Sequence, residues 1–153
     1  MKVRSGEHIL TVLWIGSLWT IGYIVAPTLF QVLEDRALAG MIAGRLFTIE
    51  SYLGLVCGGV LLLLEFFNRP PGRWVTGRMG LLLAMLGLIV IGQFVLQPLM
   101  AELKLQGLSQ SPEFARWHGI AAMLYLLNSL LGLIWVVWWR RDQGGWRVQD
   151  GSP

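Results

Sequence analysis

Charge is what this sequence has least of. Only 14% of its 153 residues are Asp, Glu, Lys or Arg, where a soluble domain carries about 25%. That scarcity excludes an ordinary solvated surface. Histidine occurs twice and cysteine once. A single cysteine, Cys57, cannot close an intrachain disulfide, and it excludes paired-cysteine metal sites and haem-attachment motifs. No Gly-rich phosphate loop, His-Glu-x-x-His pair or nucleophile elbow is present. Those absences point towards a non-enzymatic role. The net charge of +3 does not suggest nucleic acid as a partner, because the basic residues stand at the ends of apolar runs and not in a patch.

What the chain has instead is apolar length: 55% of it is hydrophobic. Four runs, 9–30, 44–67, 79–100 and 114–139, each reach the roughly 20 residues that cross a hydrocarbon core as a helix. Val60 to Leu64 and Gly80 to Ile91 are continuously apolar. Barrel strands alternate, and inside lipid an unbroken apolar segment satisfies its backbone only as a helix. The expected fold is therefore all-α, an integral membrane four-helix bundle over residues 9–139 whose first partner is the lipid bilayer. Lys2 and Arg4 precede an apolar stretch too long for a cleavable signal, so an uncleaved first span is expected. Arg69-Pro70-Pro71-Gly72-Arg73 should break the chain between spans. Lys2, Arg4, Arg69, Arg73, Arg78, Arg140, Arg141 and Arg147 share one side, and Arg36, Arg45, Lys104 and Arg116 the other. The richer side is cytoplasmic by the positive-inside rule. This makes 1–8 a cytoplasmic N-terminus and 140–153 a cytoplasmic, disordered tail. Trp135, Trp138 and Trp139 are expected to anchor the inner interface, and Trp117 the outer one.

A shift of 71 residues sets Gly16 on Gly87, Pro27 on Pro98 and Arg45 on Arg116 without a gap, as a duplicated helical hairpin would. Identity elsewhere in that overlay is near chance. Helices in lipid associate through small and polar residues. Such stripes are Gly16, Thr20, Tyr23, Pro27 and Gln31 in the first span, and Glu50, Gly54, Cys57, Gly58 and Leu61 in the second. The third offers Gln93 and Gln97. The fourth offers His118, Ala121, Ala122, Tyr125, Asn128, Ser129 and Gly132. These stripes are expected to face one another.

Gln31, Arg45, Glu50, Gln93, Gln97 and His118 then fall towards the outer end of the bundle. One reading is a polar site open to the outside for a proton, cation or small solute. Glu50 and His118 would titrate or coordinate, Gln93 and Gln97 would be neutral partners, and Pro27 and Pro98 would free backbone carbonyls. The plainer reading pairs Glu50 with Arg45 or Arg116 and lets His118 bond a glutamine, while Asn128 makes an interhelical hydrogen bond. Glu65 precedes Arg69 by four residues, in the favourable order for a helical ion pair. A redox or metal site is a further reading. His8 and His118 lie at opposite ends, about 25–30 Å apart by helix rise, which disfavours a two-histidine haem. His118 with Met41, Met100 or Met123 leaves haem or copper open. A structural role in a larger membrane complex, with a second copy or another membrane protein as partner, is the remaining class, and it is favoured if Glu50 and His118 tolerate Ala while the packing Gly54 and Gly58 do not tolerate Leu.

The runs Trp14-Ile15-Gly16-Ser17-Leu18-Trp19-Thr20, Val25-Ala26-Pro27-Thr28-Leu29-Phe30 and Ala39-Gly40-Met41-Ile42-Ala43-Gly44-Arg45-Leu46-Phe47 resemble the transmembrane protein 205-like family. Its members close the first span with Ala-Pro-x-Leu-Phe and start the second with x-Leu-Phe. Phe114-x-x-Trp117-His118-Gly119 and Asn128 resemble its last span. The resemblance covers nearly all of the chain except the two tails. It implies a four-span membrane domain without an established biochemical function, which in bacteria is an inner-membrane protein. It singles out Pro27, Phe30, Gly44, Phe47, His118 and Asn128. Pro27 then reads as a helix end, Gly44 as a close approach, and Phe30 and Phe47 as packing. A looser similarity links the chain to four-helix copper-resistance membrane domains, although it lacks a paired-histidine arrangement.

Overall fold

The structure is a computed structural model that describes residues 2–68 and 77–144, with side chains for 6–68 and 77–138. The expected breaker at Arg69 to Arg73 and the tail beyond Gly144 lie outside those residues. So do the side chains of Lys2, Arg4, Trp139, Arg140, Arg141 and Arg147. The described chain forms four long helices. The first, α1, runs Lys2–Thr20, continues through a π-helical turn at Ile21–Val25 and ends as Ala26–Val32. The second, α2, is Arg36–Asn68. The third, α3, runs Gly77–Ile91, a π-turn at Gly92–Leu96, then Gln97–Leu105. The last, α4, is Pro112–Gly144.

Each helix contains a window long and apolar enough to cross a membrane, and at most 28% of any such window is buried inside the bundle. Large side chains such as Ile24, Val56, Leu63 and Met123 point outward, all more than half exposed. An apolar surface of that extent is stable only against lipid. The fold is that of an integral membrane four-helix bundle. The ends that carry Lys2 and Gly144 are called here the terminal end, and the turns after α1 and α3 mark the hairpin end.

Local chemistry sets the helix ends. Asp35 caps α2, its Oδ1 accepting the amides of Ala37 (2.8 Å) and Leu38 (3.2 Å). The second helix therefore starts well before residue 44, and Gly40 and Gly44 lie inside it. Ser111 caps α4 by accepting the Phe114 amide at 3.1 Å, with Pro112 in the first helical position. The end of α3 closes through Leu108 N–H to Leu103 C=O (2.9 Å) and Gly107 N–H to Lys104 C=O (3.1 Å), with Gly107 at φ 74°. This left-handed closure requires glycine or a residue close to it in freedom.

Pro27 does not end its helix. It lies two residues beyond a π-turn, and so does Pro98. Ala26 N–H bonds Ile21 C=O and Gln97 N–H bonds Gly92 C=O, five residues back. The wider turn relieves the clash a proline ring makes with the preceding turn, so the helix continues.

The centre is built around Trp14 and Trp135, with Cys57, Leu61, Leu82, Met85 and Ile89 between them. The inward face of α1 is Thr11, Trp14, Ile15 and Leu18. The expected stripe of Gly16, Thr20, Tyr23, Pro27 and Gln31 faces outward instead. The reason is that only one partner of a close pair needs to be small. Gly54 and Gly58 on α2 supply the space, and the indole of Trp14 fills it. A Cβ on Gly54 would stand 2.7 Å from Trp14 Nε1, and one on Gly58 2.8 Å from Trp14 Cη2. Gly44, read from the resemblance as a close approach, has nothing within 4 Å of such a Cβ. Trp135 is 1% exposed, so it belongs to the core and not to an interfacial anchor. Trp138 is exposed.

The 71-residue shift recurs in the structure. The two π-turns stand in that register, as do buried Thr11 and Leu82, Trp14 and Met85, Leu18 and Ile89. In the second helix of each half, Cys57 and Asn128, Gly58 and Ser129, and Leu61 and Gly132 match and are all buried.

Candidate functional site

The helices pack in ring order, which leaves α2 and α4 diagonal to each other. On α2 the buried face is Glu50, Gly54, Cys57, Gly58 and Leu61. On α4 it is Asn128, Ser129, Gly132 and Trp135. Where these faces meet beside α3 there is a cavity of about 60 Å³, whose polar lining is Glu50, Ser51, Tyr125 and Asn128. Gly92, the first residue of the second π-turn, forms part of its α3 wall.

Two side chains define the chemistry. Glu50 is 2% exposed and Asn128 4% exposed. Oε1 of Glu50 and Oδ1 of Asn128 have no hydrogen-bond partner. Both stand near the middle of their 33-residue helices. The one ion pair among the described residues joins Arg78 to Glu65 at 2.8 Å, far along α2 from the cavity. Gln93, the neighbour of Gly92, adds a third buried oxygen without a partner, its Oε1. The hydroxyl of Tyr125 is committed elsewhere: it donates to Leu18 C=O of the neighbouring α1 at 2.5 Å. Its ring occupies the space a side chain on Gly22 would need, and Phe47 packs on it edge-on with centroids 5.0 Å apart.

The structure brings Glu50 and Asn128 together and leaves the rest of the expected cluster apart. His118 is exposed and stacks on Phe114, centroids 6.0 Å apart. Arg45 is exposed. Gln97 is half-buried, and Phe30 is 42% exposed. His118 lies in the second turn of α4, where no residue from Pro112 to Ile120 is buried, so its place on the same helical face as Tyr125 and Asn128 does not bring it into the core. Glu65 pairs with Arg78 from the next helix. Among the described residues no three His, Cys, Asp or Glu side chains come close enough to hold a metal ion. Sequence reasoning missed the coupling of Tyr125 to Leu18, since a backbone carbonyl leaves no trace in composition.

These features define a class: a four-helix integral membrane protein with a small, mostly apolar cavity to which Glu50, Ser51, Tyr125 and Asn128 add polar groups. Residues 9–109 match the family described as a domain of unknown function, DUF4149, and the chain belongs to that family. The matched region contains α1 from Ile9 onward, α2 and α3, and thus Glu50, while Tyr125 and Asn128 on α4 lie beyond it. No curated protein and no solved structure matches this chain.

Proposed function

We propose that this protein binds a small monovalent cation, Na⁺ or a proton carried with water, between Glu50 and Asn128, and that it does so in the bacterial inner membrane with both termini cytoplasmic. The observation that carries the reading is the pair of deeply buried oxygens without a donor, facing one cavity. A lone carboxylate in a bilayer core costs several kcal/mol, so it is held with a proton or a cation. Two side-chain oxygens with Ser51 beside them form a hard donor set, suited to a hard cation and poorly suited to copper. A cavity of about 60 Å³ has room for an ion with water, since one water needs roughly 10–15 Å³ by this measure. The orientation rests on the Lys and Arg excess at the terminal end. The finer kinship with the transmembrane protein 205-like family rests on the motifs quoted above and brings no activity with it.

The test is covalent labelling of the purified protein with dicyclohexylcarbodiimide, which modifies buried carboxylic acids, read as a mass shift. Labelling at Glu50 that Na⁺ suppresses at constant ionic strength identifies a sodium site. Labelling that depends on pH but not on Na⁺ identifies a proton site. Wild type and Glu50→Gln labelled to the same extent would end the proposal.

A further inference from the structure

Four side chains, one from each helix, meet on the terminal side of the cavity. Arg78 of α3 pairs with Glu65 of α2 at 2.8 Å, both less than a quarter exposed. The Arg78 guanidinium lies 4.9 Å from the ring centroid of Trp135 on α4. The Trp135 indole N–H donates to Thr11 Oγ1 of α1 at 3.3 Å. Between this clasp and the cavity lies a layer of core side chains, Trp14, Cys57, Leu82 and Met85, none more than 2% exposed. By helix rise, Cys57 stands about 10 Å from Glu50 and about 12 Å from Glu65 along α2.

The hairpin end is built differently. Among the described residues its polar contacts stay within one helix or its cap, as in Thr48 to Gly44 and Gln106 to Glu102, or join two neighbours, as Lys104 over Phe114 does. Both α1 and α3 also carry their π-turns and prolines on that side of the centre, where a helix can bend. The bundle is therefore clasped through polar side chains of all four helices at the terminal end, whereas its hairpin end is packed through apolar side chains such as Ala39, Ala43 and Met100, with the candidate ion cavity between them.

We infer that the Glu65–Arg78 clasp is the terminal-side gate of the Glu50–Asn128 cavity, so that this protein passes its ion between two sides instead of only holding it. The inference rests on the cation-site reading. Opening the terminal side requires the Arg78 guanidinium to leave Glu65 and Trp135 together, and the layer around Trp14 and Cys57 to part.

Cys57, the chain's single cysteine, sits behind the gate and reports on it. In the full-length protein reconstituted in lipid vesicles, a charged methanethiosulfonate present on both sides should react slowly with Cys57. In Glu65→Gln or Arg78→Gln the rate should rise about 10-fold or more, because a partly buried ion pair biases a two-state equilibrium by about that factor. Exchanging the pair, Glu65→Arg with Arg78→Glu, should return the rate towards wild type. A rate unmoved in the neutral variants, or as fast in the exchanged pair as in them, overturns the gate. Should the neutral variants fail to assemble, the wild type decides. The ion that protects Glu50 from carbodiimide should change the Cys57 rate by at least about 3-fold, and an unchanged rate overturns the gate. Failure of labelling at Glu50 refutes the site; a constant Cys57 rate with that labelling intact refutes the gate alone.

Discussion

The contact between Gly54 and the Trp14 indole should be a sensitive point of the bundle. A methyl group at Gly54 would stand 2.7 Å from Trp14 Nε1 and 2.9 Å from Ile89 Cδ1. The Ile89 terminus can rotate away. The indole of Trp14 is rigid and completely buried, and Gly58 holds its other edge, so it cannot. Alanine gains about 0.5–1 kcal/mol over glycine in a helix through backbone entropy. Overpacking a rigid contact costs about 1–3 kcal/mol, so Gly54→Ala should lose about 1–2 kcal/mol net. Gly44→Ala is the control. Nothing lies within 4 Å of its added methyl, and it should be neutral or slightly stabilising. The assay is unfolding in mixed detergent and dodecyl sulfate micelles, followed by tryptophan fluorescence. In a Trp14→Phe background the cost of Gly54→Ala should shrink, with a coupling of about 0.5–3 kcal/mol. Equal losses at Gly54 and Gly44, or no coupling to Trp14, would refute the account of how α1 and α2 fit.

Asn128→Leu should raise stability, since it removes a buried oxygen without a donor, a burden of about 1–3 kcal/mol; it should at the same time abolish cation protection of Glu50 from carbodiimide. Tyr125→Phe keeps the ring against Gly22 and Phe47 but deletes the bond to Leu18 C=O, and a loss of about 0.5–1.5 kcal/mol is expected in the same unfolding assay. His118→Ala should stay within about 0.5 kcal/mol of wild type and leave labelling at Glu50 unchanged. An absorption band or bound metal that disappears in that variant would move the site to the hairpin end of α4.

What the sequence made legible follows a physical rule. Apolar length announces a span because lipid admits little else, so four helices could be read directly. The face of α2 was readable too, since Glu50, Gly54, Cys57, Gly58 and Leu61 fall on one helical stripe and all are buried. The face of α1 was not, because the rule that small residues mark contacts was applied to both partners. Trp14 reads as a lipid-interface residue by type, yet it is the knob that fills the groove of α2. The start of α2 was read too late: the span was counted from Gly44, but a helix capped by Asp35 begins eight residues earlier, at Arg36. His118 drew attention through its chemistry. Its place in the second turn of α4, where no residue from Pro112 to Ile120 is buried, was the better guide.

The repeat explains why the cavity sits where it does. Two hairpins in the same register bring α2 and α4 together as diagonal partners, and equal halves would put equal residues across the axis. They do not: Glu50 corresponds to Ala121, and Asn128 to Cys57. Each half thus contributes one polar group where the other has a small or apolar one. The two groups come from different levels of the repeat and still converge on one cavity, lined by Glu50, Ala121 and Asn128 together. Two carboxyls at equivalent positions would face each other as like charges, which is unfavourable in lipid. One carboxyl and one amide on diagonal helices, with Ala121 beside them, carry at most a single negative charge and leave space beside it. A single charge with space beside it suits a monovalent cation. Restoring the symmetry tests the point: Ala121→Glu should fill the cavity, set a second carboxyl against the first and abolish cation protection of Glu50. If protection survives that change, the asymmetry between the halves is incidental to binding.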